Sequence, residues 1–211
     1  MDRQPPPFAQ ALPFSEACER NKGPILELLQ RWLGRRRGIV LEIGAGTGQH
    51  SVHFARRLPQ LGWQPTEQPE NLAALAARVS LEGSCNLLAP LELDVGQATW
   101  ACEADSVDAV FTANTLHIMS WPQVQALFRG VGRVLRAEGL LFVYGPFRYG
   151  GQFTSHSNAL FDETLRLRDA ASGIRDFEAV DALAAAERLR LVEDCAMPAN
   201  NQTLVWHLPR S

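Results

Sequence analysis

The amino-acid sequence predicts a single α/β domain: a doubly wound, mostly parallel seven-stranded sheet with an antiparallel C-terminal strand. Three observations predict it. Short β-branched runs alternate with amphipathic segments along nearly the whole chain. The first of these runs ends directly in a glycine-rich turn. The last two are separated only by Met197-Pro198-Ala199-Asn200-Asn201. Alternation implies parallel strands joined by helical crossovers, whereas so short a connection suits a hairpin and an antiparallel last strand.

Each element has its own signal. Residues 1–14 are proline-rich and are expected to be a flexible N-terminus, leaving 15–211 as the domain. Ser15 or Asn21 can cap a helix carrying Ile25, Leu26, Leu28, Leu29, Trp32 and Leu33 at i, i+3, i+4, i+7 spacing and ending at Gly34. The glycine-bounded apolar run 38–43 reads as a buried parallel strand. A helix over 47–58 follows, closed by Pro59, then a strand over 62–67 and a helix over 69–79 with proline in its first turn. Strands are predicted at 88–95 and 106–112, a helix at 122–136, and a fifth strand at 139–146. Next comes a loop rich in glycine, serine and aromatics, then helices near 158–171 and 177–187, and strands near 189–196 and 202–208.

Composition narrows the function. The chain has 211 residues, 46% hydrophobic and 20% charged, with a net charge of -3. That is an ordinary globular balance, with no basic stripe to draw nucleic acid or an anionic membrane. Cys18, Cys85, Cys102 and Cys195 form no C-x-x-C pair. They are expected to be free thiols in a reducing compartment, neither disulfides nor zinc ligands. No apolar signal segment and no run of about 20 apolar residues is present, so a cytoplasmic protein is expected. Oligomeric state is not legible.

Chemistry is sought at the first βα turn, because open parallel sheets bind ligands at the carboxyl ends of their strands. Glu42-Ile43-Gly44-Ala45-Gly46-Thr47-Gly48 follows the first strand without a gap. Its alternate glycines permit positive φ and close approach of a ligand to the backbone, and Glu42 is a fixed acceptor beside them. Gln49 stands where a dinucleotide turn needs its third glycine, and the lysine of a P-loop is missing. A nicotinamide-dependent oxidoreductase is disfavoured on that ground and by the C-terminal hairpin.

The turn resembles motif I of the class I S-adenosylmethionine (SAM)-dependent methyltransferases, a Rossmann-like fold. That resemblance implies SAM as cofactor, held by Glu42, Gly44, Ala45, Gly46, Gly48 and Gln49. It implies that Glu67, ending the second strand, takes the ribose hydroxyls. Asp94, with Val95 beside it, would meet the adenine, and Asn114 and Leu116 after the fourth strand would lie along the cofactor. Segments 15–26, Trp63-Gln64-Pro65, 114–119, Gly145-Pro146-Phe147, Gly173-Ile174-Arg175-Asp176 and 197–201 resemble the methyltransferase-like 26 group, also described as DUF938. On that resemblance alone, Arg20 and Asn21 are expected to face the cofactor carboxylate. Where the group often has aspartate after Trp-Gln-Pro-Ser, this chain has Thr66-Glu67, with a longer reach.

Methyl transfer is a direct displacement that needs alignment, exclusion of water and sometimes a base, but no metal. His117 titrates near neutrality in its ordinary state and is a candidate base, as is His156; packing or cofactor contact is the competing role for His117. Tyr149, Phe153 and Asn158, in the loop after the fifth strand, are candidate acceptor contacts, with that loop as a lid over the pocket. A small-molecule acceptor is expected. A SAM-binding or regulatory protein without turnover is the alternative, because no decisive base is visible.

Overall fold

The computed structural model describes residues 12–210. The flexible tail expected over 1–14 lies outside the described residues except for 12–14, which carry no helix or strand. Helix α1 (Glu16–Leu33) begins where the Ser15 side chain accepts the Cys18 N–H, with Glu16 and Glu19 in its first turn complementing the helix dipole. Strand β1 (Gly38–Ile43) leads to α2 (Gln49–Arg57), and β2 (Leu61–Glu67) to α3 (Pro69–Glu82). The short β3 (Leu91–Glu92) and β4 (Val107–Ala113) precede α4 (Trp121–Val134) and β5 (Leu135–Gly145). Strands β6 (Phe147–Tyr149) and β7 (Gln152–Phe153) come before α5 (His156–Arg168), β8 (Arg175–Asp176) and α6 (Phe177–Ala186). The chain closes with β9 (Arg190–Met197), a 3-10 turn over Pro198–Asn200, and β10 (Asn201–His207).

Seven strands form one sheet in the order β3-β2-β1-β4-β5-β10-β9. Strands β1 to β5 pair in parallel, and β10 runs antiparallel to both its neighbours. This is the predicted fold: α/β, mostly parallel, with the C-terminal strand reversed. The order turns back between β1 and β4. Ile43 lies level with Thr66 of β2 and with Thr112 of β4, so the turns after all three strands emerge at one edge.

Side chains alternating along the strands bury two separate cores, as period-2 pleating requires. Val40, Phe111 and Phe142 face α1 and α2, meeting Ile25, Leu28, Leu29, Phe54 and Trp63. Leu41, Val110 and Leu141 face α4 and α6, meeting Phe128, Val131, Val180 and Trp206. Among the described residues no helix is long and apolar enough to cross a membrane.

Three local expectations need correction. The third strand is two residues long, not 88–95: Pro90 lacks an N–H for the ladder, and the Asp94 carboxylate accepts the Gly96 N–H at 2.8 Å, turning the chain away. Helix α2 starts at Gln49 rather than Thr47, because Gly48, at φ +74°, occupies the cap in the left-handed region. The expected open loop after β5 is instead a hairpin. Gly150 and Gly151, both at positive φ, turn β6 into β7, and β8 adds to the far edge of β6.

Candidate functional site

The three glycines of the first βα turn have positive φ but separate duties. A Cβ on Gly44 would come 2.7 Å from Thr115 Cγ2, and one on Gly48 would come 2.7 Å from Leu75 Cδ1 and 3.1 Å from Arg78 Cδ. These two let neighbouring elements close on the turn. A Cβ on Gly46 would meet nothing within 4 Å. Only there does the turn present bare backbone to open space. The Gly46 N–H donates to Glu67 Oε2 at 2.6 Å, and the Gln68 N–H donates to Glu67 Oε1 at 2.9 Å, so the carboxylate is pinned at the end of β2.

A cleft of about 720 Å³ opens at this edge of the sheet, within the ~300–1,000 Å³ range of small-molecule sites. Gly44, Ala45, Gly46, Glu67, Val95, Asn114 and His117, all singled out from the sequence, line it. Asn114 adopts φ +59° and donates its N–H to Tyr144 O, which turns the chain after β4 across the opening. Thr115, next to Asn114, also lines it, as do Ser15 and Cys18 at the start of α1, Ile118, Met119, Phe161 and Asp169, which were not anticipated. The cap signal at Ser15 was visible, but nothing in the sequence ties it to the cleft. The link is tertiary: the Ser15 N–H donates to Gln49 Oε1 at 2.6 Å.

Several expected site residues do other work. Glu42 is 2% exposed and does not line the cleft. Its Oε2 accepts Ser51 Oγ–H and Trp63 Nε1–H, each at 2.6 Å, and burial raises its pKa to about 7 against the pull of those bonds. Gln49 spends its amide on Ser15 and Glu19, binding α1 to α2. Asn21 is buried with its Oδ1 2.7 Å from His50 Nε2, and neither it nor Arg20 lines the cleft. Gly48 is a packing glycine, and Leu116 is buried in the core while Leu93 and Val95 face the cleft on either side of Asp94.

The proposed acceptor loop is likewise structural. Tyr149 stacks on Phe177 and donates its hydroxyl to Asp194 at 2.8 Å. Phe153 lies under the Arg148 guanidinium, and the Asn158 amide donates to Thr154 Oγ1 and Asn200 O. His156 is exposed at the start of α5 and outside the cleft. The hairpin accounts for Tyr149 and Phe153, since β7 pairs with β6 and β6 with β8, and none of the four residues lines the cleft.

The wall containing His117 is fastened with unusual completeness. Four successive carbonyls, of Leu116, His117, Ile118 and Met119, accept hydrogen bonds from one short segment. Arg175 Nε donates to Leu116 O at 3.0 Å, the Gly173 N–H to His117 O at 2.8 Å, Ser172 Oγ to Ile118 O at 3.2 Å, and Arg175 Nη2 to Met119 O. That segment is tied to α5 in turn, since the Ile174 N–H donates to the buried Asp162 Oδ1. Arg175 is thus bound to backbone, while Asp176 pairs with Arg148 at 2.6 Å. Burial, aided by the Arg175 charge, lowers the His117 pKa to about 4. Phe161 of α5 meets the His117 ring edge-on at 5.3 Å.

The cleft's electrostatics are one-sided. Among the described residues its lining contains the carboxylates of Glu67 and Asp169 and no lysine or arginine, and burial holds the lining histidines His50 and His117 neutral at pH 7. Such a site accommodates a cation or a neutral molecule better than an anion.

Comparison with known proteins agrees with this geometry. Residues 12–208 match the model of a family described as "Protein of unknown function (DUF938)". An O-methyltransferase family 2 protein from Planctomyces limnophilus, solved with apigenin, superposes with a TM-score of 0.75 at 16% identity, covering 91% of this chain and 57% of that one. The SAM-dependent methyltransferase SibL gives a TM-score of 0.75 at 19% identity, covering 92% and 56%. The YcgJ protein from Bacillus subtilis gives 0.68 at 15%, covering 92% and 99%. The chain therefore spans less than three-fifths of the first two proteins and nearly all of the third. These likenesses show a class I methyltransferase fold.

Proposed function

The chain belongs to the DUF938 family, and we propose that it is a SAM-dependent methyltransferase acting on a small molecule. Within the family we assign it to the methyltransferase-like 26 group, on the segments that resemble that group. The observation that carries the functional reading is the open space at Gly46 beside the pinned Glu67 carboxylate, in a cleft lined by no lysine or arginine among the described residues.

The residues present fit the cofactor. The turn Gly44 to Gly46, with its open backbone at Gly46, would receive its amino-acid portion, Glu67 would accept from its ribose hydroxyls, and Leu93 and Val95 would flank its base. Asn114 and Thr115 would close the opposite side. When bound, SAM supplies a methyl group on a positively charged sulfur, and the two lining carboxylates suit that charge. Asp94 holds the Gly96 N–H on Oδ1, which leaves Oδ2 as the atom that would meet the base.

His117 is the acceptor-side polar group. Its imidazole is neutral at pH 7 and makes no hydrogen bond to the described residues, so it is free to accept one from an acceptor hydroxyl. A base with a pKa of about 4 is weak. It suffices for an oxygen nucleophile, whose proton becomes strongly acidic as oxygen is alkylated. The apigenin bound by the Planctomyces protein supports a small-molecule acceptor, and the four free thiols support a cytoplasmic location.

The weak basicity of His117 also favours a second reading, a SAM-binding protein without turnover. Incubation with SAM labelled in its methyl group and fractionated metabolite extract separates the two. We expect S-adenosylhomocysteine release with label in one small-molecule product. SAM binding with no release from any fraction would establish the second reading.

A further inference from the structure

Building on the methyltransferase reading, we infer that the acceptor is an uncharged, flat, apolar molecule bearing a hydroxyl, seated between Phe161 and Ile118 with its hydroxyl toward His117. Both apolar side chains line the cleft yet remain open to solvent, Phe161 at 38% and Ile118 at 58% exposure. Met119 joins them on the same wall. Single exposed hydrophobes are common, but an aromatic and an aliphatic side chain flanking one imidazole at the mouth of a cleft form a surface for a ring.

The wall is also rigid. Residues 116–119 have every carbonyl tied down by 172–175, and α5, which carries Phe161, is anchored to that same segment through Asp162. A pre-formed surface selects shape without the cost of ordering itself on binding. Charge selects further. Of the charged groups on this side, Asp169 lines the cleft and already accepts the Ala171 N–H at 2.9 Å, Arg175 is spent on the carbonyls of Leu116, Met119 and Ala171, and no lysine or arginine among the described residues lines the cleft. An anionic ring would lose its hydration and find no partner, which discriminates more strongly than a missing contact. The acceptor hydroxyl makes its hydrogen bond to this wall at His117.

Calorimetric titration of the whole protein with 2-naphthol and with naphthalene-2-sulfonate tests this, with and without S-adenosylhomocysteine. We expect 2-naphthol to bind at least tenfold more tightly than the sulfonate. Phe161→Ala should weaken 2-naphthol at least fivefold while leaving SAM affinity within twofold, and Ile118→Arg should raise sulfonate affinity above that for 2-naphthol. Equal or tighter sulfonate binding to the unaltered protein, no 2-naphthol binding up to millimolar concentration, or indifference to Phe161→Ala would overturn the inference. SAM titrated into the same samples keeps the readings apart. Failure of SAM to bind defeats the methyltransferase, whereas SAM binding with the wrong naphthalene preference defeats the acceptor class alone.

Discussion

Glu67 Oε2 accepts the backbone N–H of Gly46 at 2.6 Å, joining the end of β2 to the one glycine of the turn with open space before it. The bond aims the carboxylate across the cleft floor before any ligand arrives, and each oxygen keeps a lone pair for a second donor. Glu67→Ala is therefore expected to weaken SAM by about 1.5–3 kcal/mol, the worth of hydrogen bonds to a charged group. Calorimetry reads this directly; a loss below ~0.5 kcal/mol would mean that Glu67 does not hold the ribose.

Gly46 and Gly48 should respond to alanine in opposite ways. At Gly46 the new methyl enters open space, so the folded state bears only positive-φ strain of roughly 1 kcal/mol, while the cofactor loses its place. Gly46→Ala should fold and bind SAM at least tenfold more weakly. At Gly48 the methyl meets Leu75 and Arg78, adding overpacking to strain for a loss of about 2–4 kcal/mol. Urea unfolding and SAM titration of both variants check the contrast, and equal stability losses would refute it.

Much of the fold was legible because its causes are local. The β-branched run of 38–43, Gly34 after the first helix and the short 197–201 connection each declare an element without tertiary help. The cleft was legible where backbone conformation sets it, at Gly44 to Gly46, and where strand order sets it, at Glu67. Glu42 misled because a carboxylate beside a glycine turn reads the same whether it meets a ligand or, as here, Ser51 and Trp63. Tyr149, Phe153 and Asn158 misled because Gly150-Gly151 was read as loop freedom when it is a hairpin turn. Phe161 and Asp169 reach the cleft only through the packing of α5, which no local pattern in the helix encodes.

Glu42 gives the stability a distinctive pH dependence. Its pKa rises from an ordinary 4.5 to about 7 on folding. Between those values the folded chain retains a proton that the unfolded chain has released, so this group's contribution falls as pH rises from 4.5 to 7 and is level above that. Glutamine keeps an acceptor for Ser51 and Trp63 without ionising. Glu42→Gln should therefore gain, relative to the unaltered protein, on the order of 3 kcal/mol between pH 4.5 and pH 8. Urea unfolding at both values checks this, and a pH-independent difference would contradict it.

Arg175 acts on His117 through backbone and through charge. Arg175→Ala strands the carbonyls of Leu116 and Met119 and should cost about 2–4 kcal/mol. It also removes a positive charge that opposes protonation of the imidazole, so the His117 pKa should rise from about 4 while remaining below 6.5 because burial persists. Arg175→Lys should keep the low pKa and recover only part of the stability. NMR titration of the His117 ring in the three proteins reads the effect, and an unmoved pKa in Arg175→Ala would remove the electrostatic part.

The most direct test of the account is calorimetric titration of the unaltered protein with SAM and, separately, with NADH. The geometry of Gly46 and Glu67 predicts one SAM bound per chain and no heat from NADH. Heat from NADH with none from SAM would contradict the assignment of the cleft.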